Sequence, residues 1–279
     1  VKTATPASFA AAADPAFRGM VKLQMRYDMG DGQIMTEHCG GTVISSRWIV
    51  TAAHCLSPAD GSTWDRIDIT AGDRDLDGTG VIHRDAYDAV VHAGFDYASL
   101  TNDIALIRLK APFPRAVKPA VLDAYRRPSV ADGGMATAAG WPVTGADAGL
   151  TQLQTTPLAV TDVSWPGYIT VTSPRGAAEG VCQGESGGPL MGHRAGKPML
   201  AGVLSGIEPG TQDATGEPCM KAGYEMYFTP IAAYRQWIDT VTNFCDHKPG
   251  ECRGGKTSQF FLADNSQHKK HAATTRVRF

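Results

Sequence analysis

Short runs of apolar and β-branched residues, separated by glycine, proline and polar turns, recur along this chain at near-regular spacing. Such a pattern is typical of antiparallel β-barrels. A proline-rich stretch at 110–132 has few apolar pairs and divides the runs into two sets. The sequence therefore predicts an all-β protein in two halves. The predicted strands lie at 20–27, 38–44, 48–51, 66–71, 81–83, 88–91 and 104–109, and then at 135–141, 152–160, 168–172, 189–192, 198–204 and 226–229.

One helix is predicted near the end of this pattern, at 231–243. Thr229 and Pro230 are typical of a helix cap and first turn, and apolar residues then recur at helical spacing. The two ends of the chain lack any such pattern. Residues 1–18 are rich in Ala, Thr and Pro and predict an arm, and residues 244–279 predict a basic, solvated tail.

The composition limits the partners of this 279-residue chain. Its net charge of −2 gives no long-range attraction to nucleic acid or to a membrane surface. No run approaches the roughly 18 apolar residues that a membrane-spanning helix needs. The chain begins at Val1 without a signal-peptide core, and its six cysteines are an even number. We therefore expect a secreted monomer whose signal has been removed.

A glycine-rich turn at 180–190 can present one side chain to its surroundings. Gly184, Gly187 and Gly188 permit backbone dihedrals that a Cβ would forbid, so the turn can hold the Ser186 hydroxyl outward. The N–H groups of Gly184 and Ser186 can point into one space and stabilise an acyl oxygen that gains negative charge. A serine hydroxyl alone is a weak nucleophile, so this chemistry needs a base and an orienting acid.

His54 and Asp103 are the candidates for those two roles. His54 ends a β-branched run, and Asp103 enters an apolar strand. His54 can take the proton of Ser186 and later return it to the leaving group, while Asp103 would fix the imidazole tautomer and stabilise the imidazolium. Each residue alone has an ordinary explanation as a strand or turn residue. The three motifs together, in the order His, Asp, Ser, favour nucleophilic catalysis.

These motifs resemble those of the trypsin/chymotrypsin family of serine proteases. The resemblance implies two six-stranded antiparallel barrels with a cleft between them, to which the first barrel brings His54 and Asp103 and the second brings Ser186. It implies a serine endopeptidase without a cofactor that acts on proteins or peptides, with protein protease inhibitors as further partners. The motifs are Thr-Ala-Ala-His-Cys at 51–55, Asn-Asp-Ile-Ala-Leu at 102–106 and Gly-Glu-Ser-Gly-Gly-Pro at 184–189.

The resemblance covers residues 19–243 and leaves the arm and the tail outside it. Within it, we expect the first barrel at about 19–122, the second at about 123–230, and a closing helix at 231–243.

The resemblance also implies disulfides. A bridge beside the histidine would close a loop of about 17 residues and contribute on the order of 3 kcal/mol. A second would join the serine loop to a later segment, and the two cysteines that remain are close enough to close a small loop. A thiolate metal site would need a Cys-x-x-Cys pair, which the sequence lacks. The expected pairs are Cys39–Cys55, Cys182–Cys219 and Cys245–Cys252.

The pocket for the substrate residue before the cut bond is the least determined part. In the family its floor stands six residues before the nucleophile, at Gly180 here, so the acidic floor of trypsin-like enzymes is missing. An uncharged floor favours apolar or small side chains. Either Glu225 or Met226 lines the base, and Glu225 in that place would favour basic residues. The expected lining residues are Gly180, Val181, Gln183, Ser205, Gly206, Ile207, Glu225 and Met226.

Glu185 departs from the family, which nearly always has aspartate at this position. That aspartate pairs with the N-terminal amine freed by zymogen cleavage, and the Ile-Val-Gly-Gly start that supplies the amine is also missing here. We therefore expect Glu185 to take an internal cation or backbone N–H groups as its partner. Activity would then not require a freed N-terminus.

Other interpretations of the sequence remain open. A non-catalytic protease homologue would act as a binding protein, although such homologues usually lose a triad residue and none is lost here. An esterase with the same triad would cleave small esters and no peptide. The acidic stretch from Asp73 to Gly78 resembles the start of a calcium loop, but Arg84 stands where an EF-hand needs glutamate. We expect no metal site.

Overall fold

The computed structural model describes most of the chain between Pro15 and Pro249. The tail beyond residue 252, the arm before residue 15 and Gln183 lie outside the described residues. Within the described part, no helix is long and apolar enough to cross a membrane. The described residues are 15–28, 33–57, 64–124, 127–144, 148–149, 151–164, 167–174, 179–182, 184–208, 219–221, 223–249 and 252.

Six antiparallel strands of the first half close into a barrel. They are β1 (Met20–Asp28), β2 (Ile34–Ser45), β3 (Trp48–Thr51), β4 (Arg66–Ala71), β5 (Ile82–Val91) and β6 (Ala105–Leu109). Their hydrogen-bonded order is β1-β2-β3-β6-β5-β4. In β1 the buried residues Leu23, Met25 and Tyr27 alternate with more exposed ones, so one face of the strand fills the core. The two strands predicted at 81–83 and 88–91 form the single strand β5, with a register irregularity between Ala86 and Asp88.

The described part of the second half contains ten strands, and six of them close into a second barrel. The strands are β7 (Met135–Gly140), β8 (Val143–Thr144), β9 (Ala148–Gly149), β10 (Gln154–Val163), β11 (Ile169–Thr172), β12 (Glu179–Cys182), β13 (Pro189–Arg194), β14 (Lys197–Ile207), β15 (Cys219–Lys221) and β16 (Glu225–Pro230). The barrel order is β10-β11-β16-β14-β13-β7, and the pairs β8–β9 and β12–β15 form two small sheets. The prediction of two six-stranded antiparallel barrels is confirmed.

The C-terminal helix α1 (Ile231–His247) extends beyond its predicted end at residue 243. Its buried face includes Tyr234, Ile238 and Val241. The prediction that Thr229 caps this helix is wrong, because no side chain caps it and the Thr229 hydroxyl donates to the Asp103 carbonyl oxygen at 2.9 Å. After the helix, Cys245 and Cys252 are joined in a disulfide.

Residues before β1 pack against the first barrel, although the sequence predicts an arm there. A 3₁₀ turn at Pro15–Phe17 precedes β1, and Phe17 is buried in the core. Gly19 follows with a carbonyl oxygen that accepts the Val43 N–H at 2.7 Å. The packed part of the protein therefore begins within the stretch predicted as an arm at 1–18.

Backbone hydrogen bonds join the two barrels directly. The Arg74 carbonyl oxygen accepts the Leu153 N–H at 2.8 Å and the Trp141 indole N–H at 2.9 Å. The Leu76 N–H donates to the Thr151 carbonyl oxygen at 2.9 Å. Because these partners come from opposite halves of the chain, they hold the loop after β4 against the second barrel.

Candidate active site

Asp103 lies fully buried just before β6 and accepts three hydrogen bonds through its carboxylate. Its Oδ2 accepts from His54 Nδ1 at 2.8 Å and from Ser205 Oγ at 2.6 Å. Its Oδ1 accepts the backbone N–H of His54 at 2.9 Å. Three donors satisfy a carboxylate that would otherwise be costly to bury. The same bonds fix its orientation toward His54.

His54 follows β3 and keeps 18% of its side chain exposed. Because an ionised Asp103 only accepts hydrogen bonds, Nδ1 carries the proton and Nε2 is left as the base. Burial lowers the pKa of His54, but the charge of Asp103, their hydrogen bond and the charge of Glu37 together raise it above its ordinary value. The arrangement therefore stabilises an imidazolium at this position.

Ser186 lies in the turn between β12 and β13, and the backbone of the first barrel holds this turn. Its carbonyl oxygen accepts the Gly40 N–H at 2.7 Å. Gly40 follows Cys39, which is disulfide-bonded to Cys55, the neighbour of His54. Two short connections thus bring the serine turn to the histidine turn.

Position 187 of this turn requires a glycine. Its φ of 76° lies in the left-handed region. A Cβ there would come within 2.6 Å of the Gly40 carbonyl oxygen and would also clash with Thr51 Oγ1. The absence of a side chain therefore lets the second barrel approach the first at the nucleophile.

The backbone N–H groups of Gly184 and Ser186 suit an oxyanion hole. Gly184 has a φ of 82°, which turns the backbone two residues before Ser186. Within the described part of the chain, neither N–H donates a hydrogen bond. Two unpaired donors on either side of Glu185 are therefore available to an oxygen of a ligand.

Glu185 is buried, with 4% of its surface exposed. Its carboxyl packs against the backbone of Gly140 at the end of β7, where a Cβ would lie 2.6 Å from Glu185 Oε1. The glutamate side chain is therefore enclosed beside the end of β7. The first residues of the chain lie outside the described part, so the expected independence from the N-terminus stays a prediction.

The two candidates for the pocket base lie on opposite faces of β16. Met226 is fully buried in the core of the second barrel, and its Sδ accepts the Val181 N–H at 3.4 Å, beside Gly180. The half-buried Glu225 lies on the other face, where its carboxylate accepts the Tyr227 hydroxyl at 2.9 Å. Which of the two lines the base of the pocket stays a prediction.

Other predicted pocket residues have different surroundings. Ser205 donates to Asp103 and so belongs with the histidine and the aspartate rather than with the pocket wall. Gly206 and Ile207 pair with Tyr227 and Met226 across β14 and β16. Gln183 and the side chains of Cys182 and Cys219 lie outside the described residues, although the two cysteines are partners in the β12–β15 register.

The acidic loop binds its own backbone. Asp73 accepts the N–H groups of Asp75 at 3.2 Å and of Gly80 at 3.2 Å, and Asp75 accepts the Asp77 N–H at 3.0 Å. Among the described residues, a single group has the spacing of metal ligands, namely Cys39, His54 and Cys55. The disulfide removes both thiolates from that group.

Three hydroxyls around Asp103 were not recognised as part of the site from the sequence. Ser205 was assigned to the pocket, Thr229 to a helix cap, and Tyr234 to the core. Tyr234 donates to Asn102 Oδ1 at 3.0 Å, and Asn102 directly precedes Asp103. All three come from the second barrel or from α1, so no local motif could have indicated that they meet Asp103.

Known proteins resemble this chain in sequence and in fold. The family model described as Trypsin matches residues 8–238. Trypsin alpha of Drosophila erecta is 30% identical over 219 residues, covering 74% of this chain and 78% of that protein. Brachyurin of Leptuca pugilator is 31% identical over 219 residues, covering 73% of this chain and 87% of that protein.

A solved structure of HL collagenase has a TM-score of 0.64 at 22% sequence identity, covering 81% of this chain and 94% of that chain. At that identity it supports the fold alone. The sequence relatives, the matching family model and the two-barrel architecture agree with one another, and this chain belongs to the trypsin family of serine proteases.

Proposed function

We propose that this protein is a serine endopeptidase that hydrolyses peptide bonds through an acyl-enzyme. Ser186 Oγ attacks the carbonyl carbon while His54 Nε2 takes its proton, and the N–H groups of Gly184 and Ser186 stabilise the oxyanion. His54 then gives the proton to the leaving amine as the peptide C–N bond breaks. Water, deprotonated by His54, attacks the ester and releases the second product and Ser186.

The observation that carries this proposal is the set of hydrogen bonds on Asp103. Its carboxylate accepts from His54 Nδ1 at 2.8 Å and from Ser205 at 2.6 Å inside a fully buried site. A buried carboxylate in this arrangement orients the imidazole and stabilises its protonated form. The hydrogen bond from the Gly40 N–H to the Ser186 carbonyl oxygen holds the serine turn against the first barrel, which carries His54. This contact supports Ser186 as the nucleophile.

The pocket supports cleavage after apolar or small residues. Gly180 brings no charge to the floor, and Met226 fills the space beside Val181 with an apolar side chain. A lysine or arginine of the substrate would lose its hydration there without gaining a partner. A preference for basic residues before the cut bond would instead assign the pocket base to Glu225, whose carboxylate keeps acceptor positions beyond the bond from the Tyr227 hydroxyl.

The buried Glu185 supports activity without N-terminal processing. Its carboxyl lies against Gly140 at the end of β7, and 4% of the residue is exposed. A large rise in activity after cleavage within the first twenty residues would contradict this part of the proposal.

The test is covalent labelling with a fluorophosphonate, with the adduct located by peptide mass spectrometry. We expect stoichiometric labelling of Ser186 in the wild-type chain and none in Ser186→Ala. Peptide-library cleavage then measures the preference before the cut bond. Failure of the wild-type chain to label would contradict the proposal and favour the binding protein, whereas cleavage of esters but of no peptide would favour an esterase.

The disulfides Cys39–Cys55 and Cys245–Cys252 support a secreted protein, because such bonds persist in oxidising compartments. We propose that it acts as a monomer on protein or peptide substrates and is a target for protein protease inhibitors. Cell fractionation tests whether the protein is secreted, and sedimentation tests whether it is a monomer.

A further inference from the structure

Tyr168 extends from the second barrel to the loop that precedes Asp103. It stands immediately before β11, and its hydroxyl lies 2.8 Å from the Leu100 carbonyl oxygen and 3.3 Å from the Ser99 carbonyl oxygen. A phenol has one proton to donate, so the shorter contact to Leu100 is the principal hydrogen bond. This bond joins the two barrels within three residues of the carboxylate that faces His54.

The loop that Tyr168 contacts has an unusual backbone. Leu100 has a φ of 51° and Asn102 a φ of 56°, and neither residue is a glycine. Left-handed conformations cost free energy for residues with a Cβ, so surrounding contacts must hold them. Asn102 is held by its donation to the Gly94 carbonyl oxygen at 2.7 Å and by the Tyr234 hydroxyl at 3.0 Å. Leu100 is held by Tyr168.

Tyr168 is also anchored in the second barrel. Its ring packs against Tyr227 on β16, with the ring centroids 5.8 Å apart. Burial and the charge of Asp103 raise the pKa of Tyr168, so its hydroxyl stays protonated and donates to the loop. Tyr168 thus joins β16 of the second barrel to the loop that leads to Asp103.

We propose that Tyr168 is a positioning residue of the active site, whose hydroxyl fixes the loop at 99–102 and thereby holds the Asp103 carboxylate against His54. The inference rests on the proposed function, because it assigns Tyr168 a role in orienting the triad. Tyr168 does not touch the reacting atoms. Its role is to maintain the hydrogen bond between Asp103 and His54.

The first test compares Tyr168→Phe with the wild-type chain in the rate of inactivation by a fluorophosphonate. This small reagent reacts with the serine and needs no peptide side chain in the cleft, so a lost substrate contact would not slow it. We expect the rate to fall about tenfold, the effect of a modest displacement of a catalytic group. The control is Tyr87→Phe, which removes an exposed hydroxyl from β5 and should react at the wild-type rate.

The second test measures the same rate as a function of pH. The charged groups that raise the pKa of His54 are Asp103 and Glu37. If Asp103 is held less well, the pKa of His54 falls and the acid limb of the profile moves to lower pH. Acid unfolding of a destabilised Tyr168→Phe would lower the rate at low pH and move the acid limb to higher pH, so a displacement of the limb to lower pH reports the position of Asp103 and not unfolding.

The outcomes are distinguishable. No reaction of the wild-type chain would contradict the proposed function and this inference together. A wild-type chain that reacts, with Tyr168→Phe reacting at the same rate or with an unmoved acid limb, would overturn the inference alone. A slower reaction with the limb displaced to lower pH, and an unaffected Tyr87→Phe, would support it.

Discussion

The Thr229 hydroxyl donates to the carbonyl oxygen of Asp103 at 2.9 Å, across the boundary between the two barrels. Both residues are buried, so no water replaces this bond when the donor is removed. We expect Thr229→Val, which keeps the shape of the side chain, to lower the free energy of unfolding by about 1–3 kcal/mol. Urea unfolding measures the loss.

The control for Thr229 is Thr161→Val. Thr161 is exposed and donates to the Thr170 carbonyl oxygen at 3.1 Å, where water can take over the bond. We expect a change within about 0.5 kcal/mol. Equal losses in the two variants would mean that burial of the Asp103 carbonyl is not the cause.

We expect Met226 to limit the size of the substrate side chain that is accepted before the cut bond. Met226→Ala shortens the side chain beside Val181 and Gly180, so we expect larger apolar residues to be accepted before the cut bond. The truncation of a fully buried side chain should also cost about 2–5 kcal/mol. Cleavage of a peptide library gives the preference, and unfolding gives the cost.

Met20→Ala is the matched control for Met226, because it truncates a buried methionine of the first barrel. It should lower stability and leave the substrate preference as it is. An unchanged preference in Met226→Ala would show that Met226 does not limit the pocket.

Glu37 should shift the pH dependence of activity. Its charge contributes to the raised pKa of His54, so Glu37→Gln lowers that pKa. Since the base must be neutral to accept a proton, the acid limb of kcat/KM should move to lower pH. The displacement should shrink at high ionic strength. Asp132→Asn, which removes an exposed charge from the connection between the barrels, should leave the limb where it is.

His92 should make the protein sensitive to acid. It is buried between Tyr234 and Trp237, and burial lowers its pKa from 6.5 to about 4. As pH falls below 6.5, the unfolded chain binds a proton that the folded protein does not, so stability is lost until about pH 4. The full loss is about 3 kcal/mol.

The measurement for His92 is the free energy of unfolding at about pH 7 and about pH 4.5. His92→Asn, which keeps an acceptor for the Gly94 N–H, should lose less stability between the two values than the wild-type chain. His83→Asn, at an exposed position of β5, should follow the wild-type dependence. Identical slopes in all three proteins would exclude His92 as the cause.

The strands and the three motifs were accessible to sequence reasoning because each depends on neighbouring residues. Alternation in β1 and the glycines around Ser186 follow from local backbone geometry. Which face of β16 carries Glu225 and which carries Met226 was not accessible, because a shift by one residue exchanges the two faces of a strand. The pairing of β16 with its neighbours fixes those faces.

The hydroxyls around Asp103 show a different limit. Ser205 and Thr229 lie 102 and 126 residues from Asp103 in the sequence, and Tyr234 lies 132 residues from Asn102. Serine, threonine and tyrosine are common on strands and at turns, so their types carry no signal of a shared partner. The end of α1 at His247 was also missed, although the buried Cys245 continues the helical spacing four residues after Val241.

The hydrogen bond from Gly40 to the Ser186 carbonyl oxygen joins the two barrels at the candidate site, and this contact determines when an active centre can assemble. The proposed nucleophile lies on one barrel, and the groups proposed to activate it lie on the other. A newly made chain with only one barrel folded therefore has no assembled centre with which to attack its neighbours. Hydrolytic competence would arise in the last step of maturation, when the two barrels dock, and would disappear as soon as they separate.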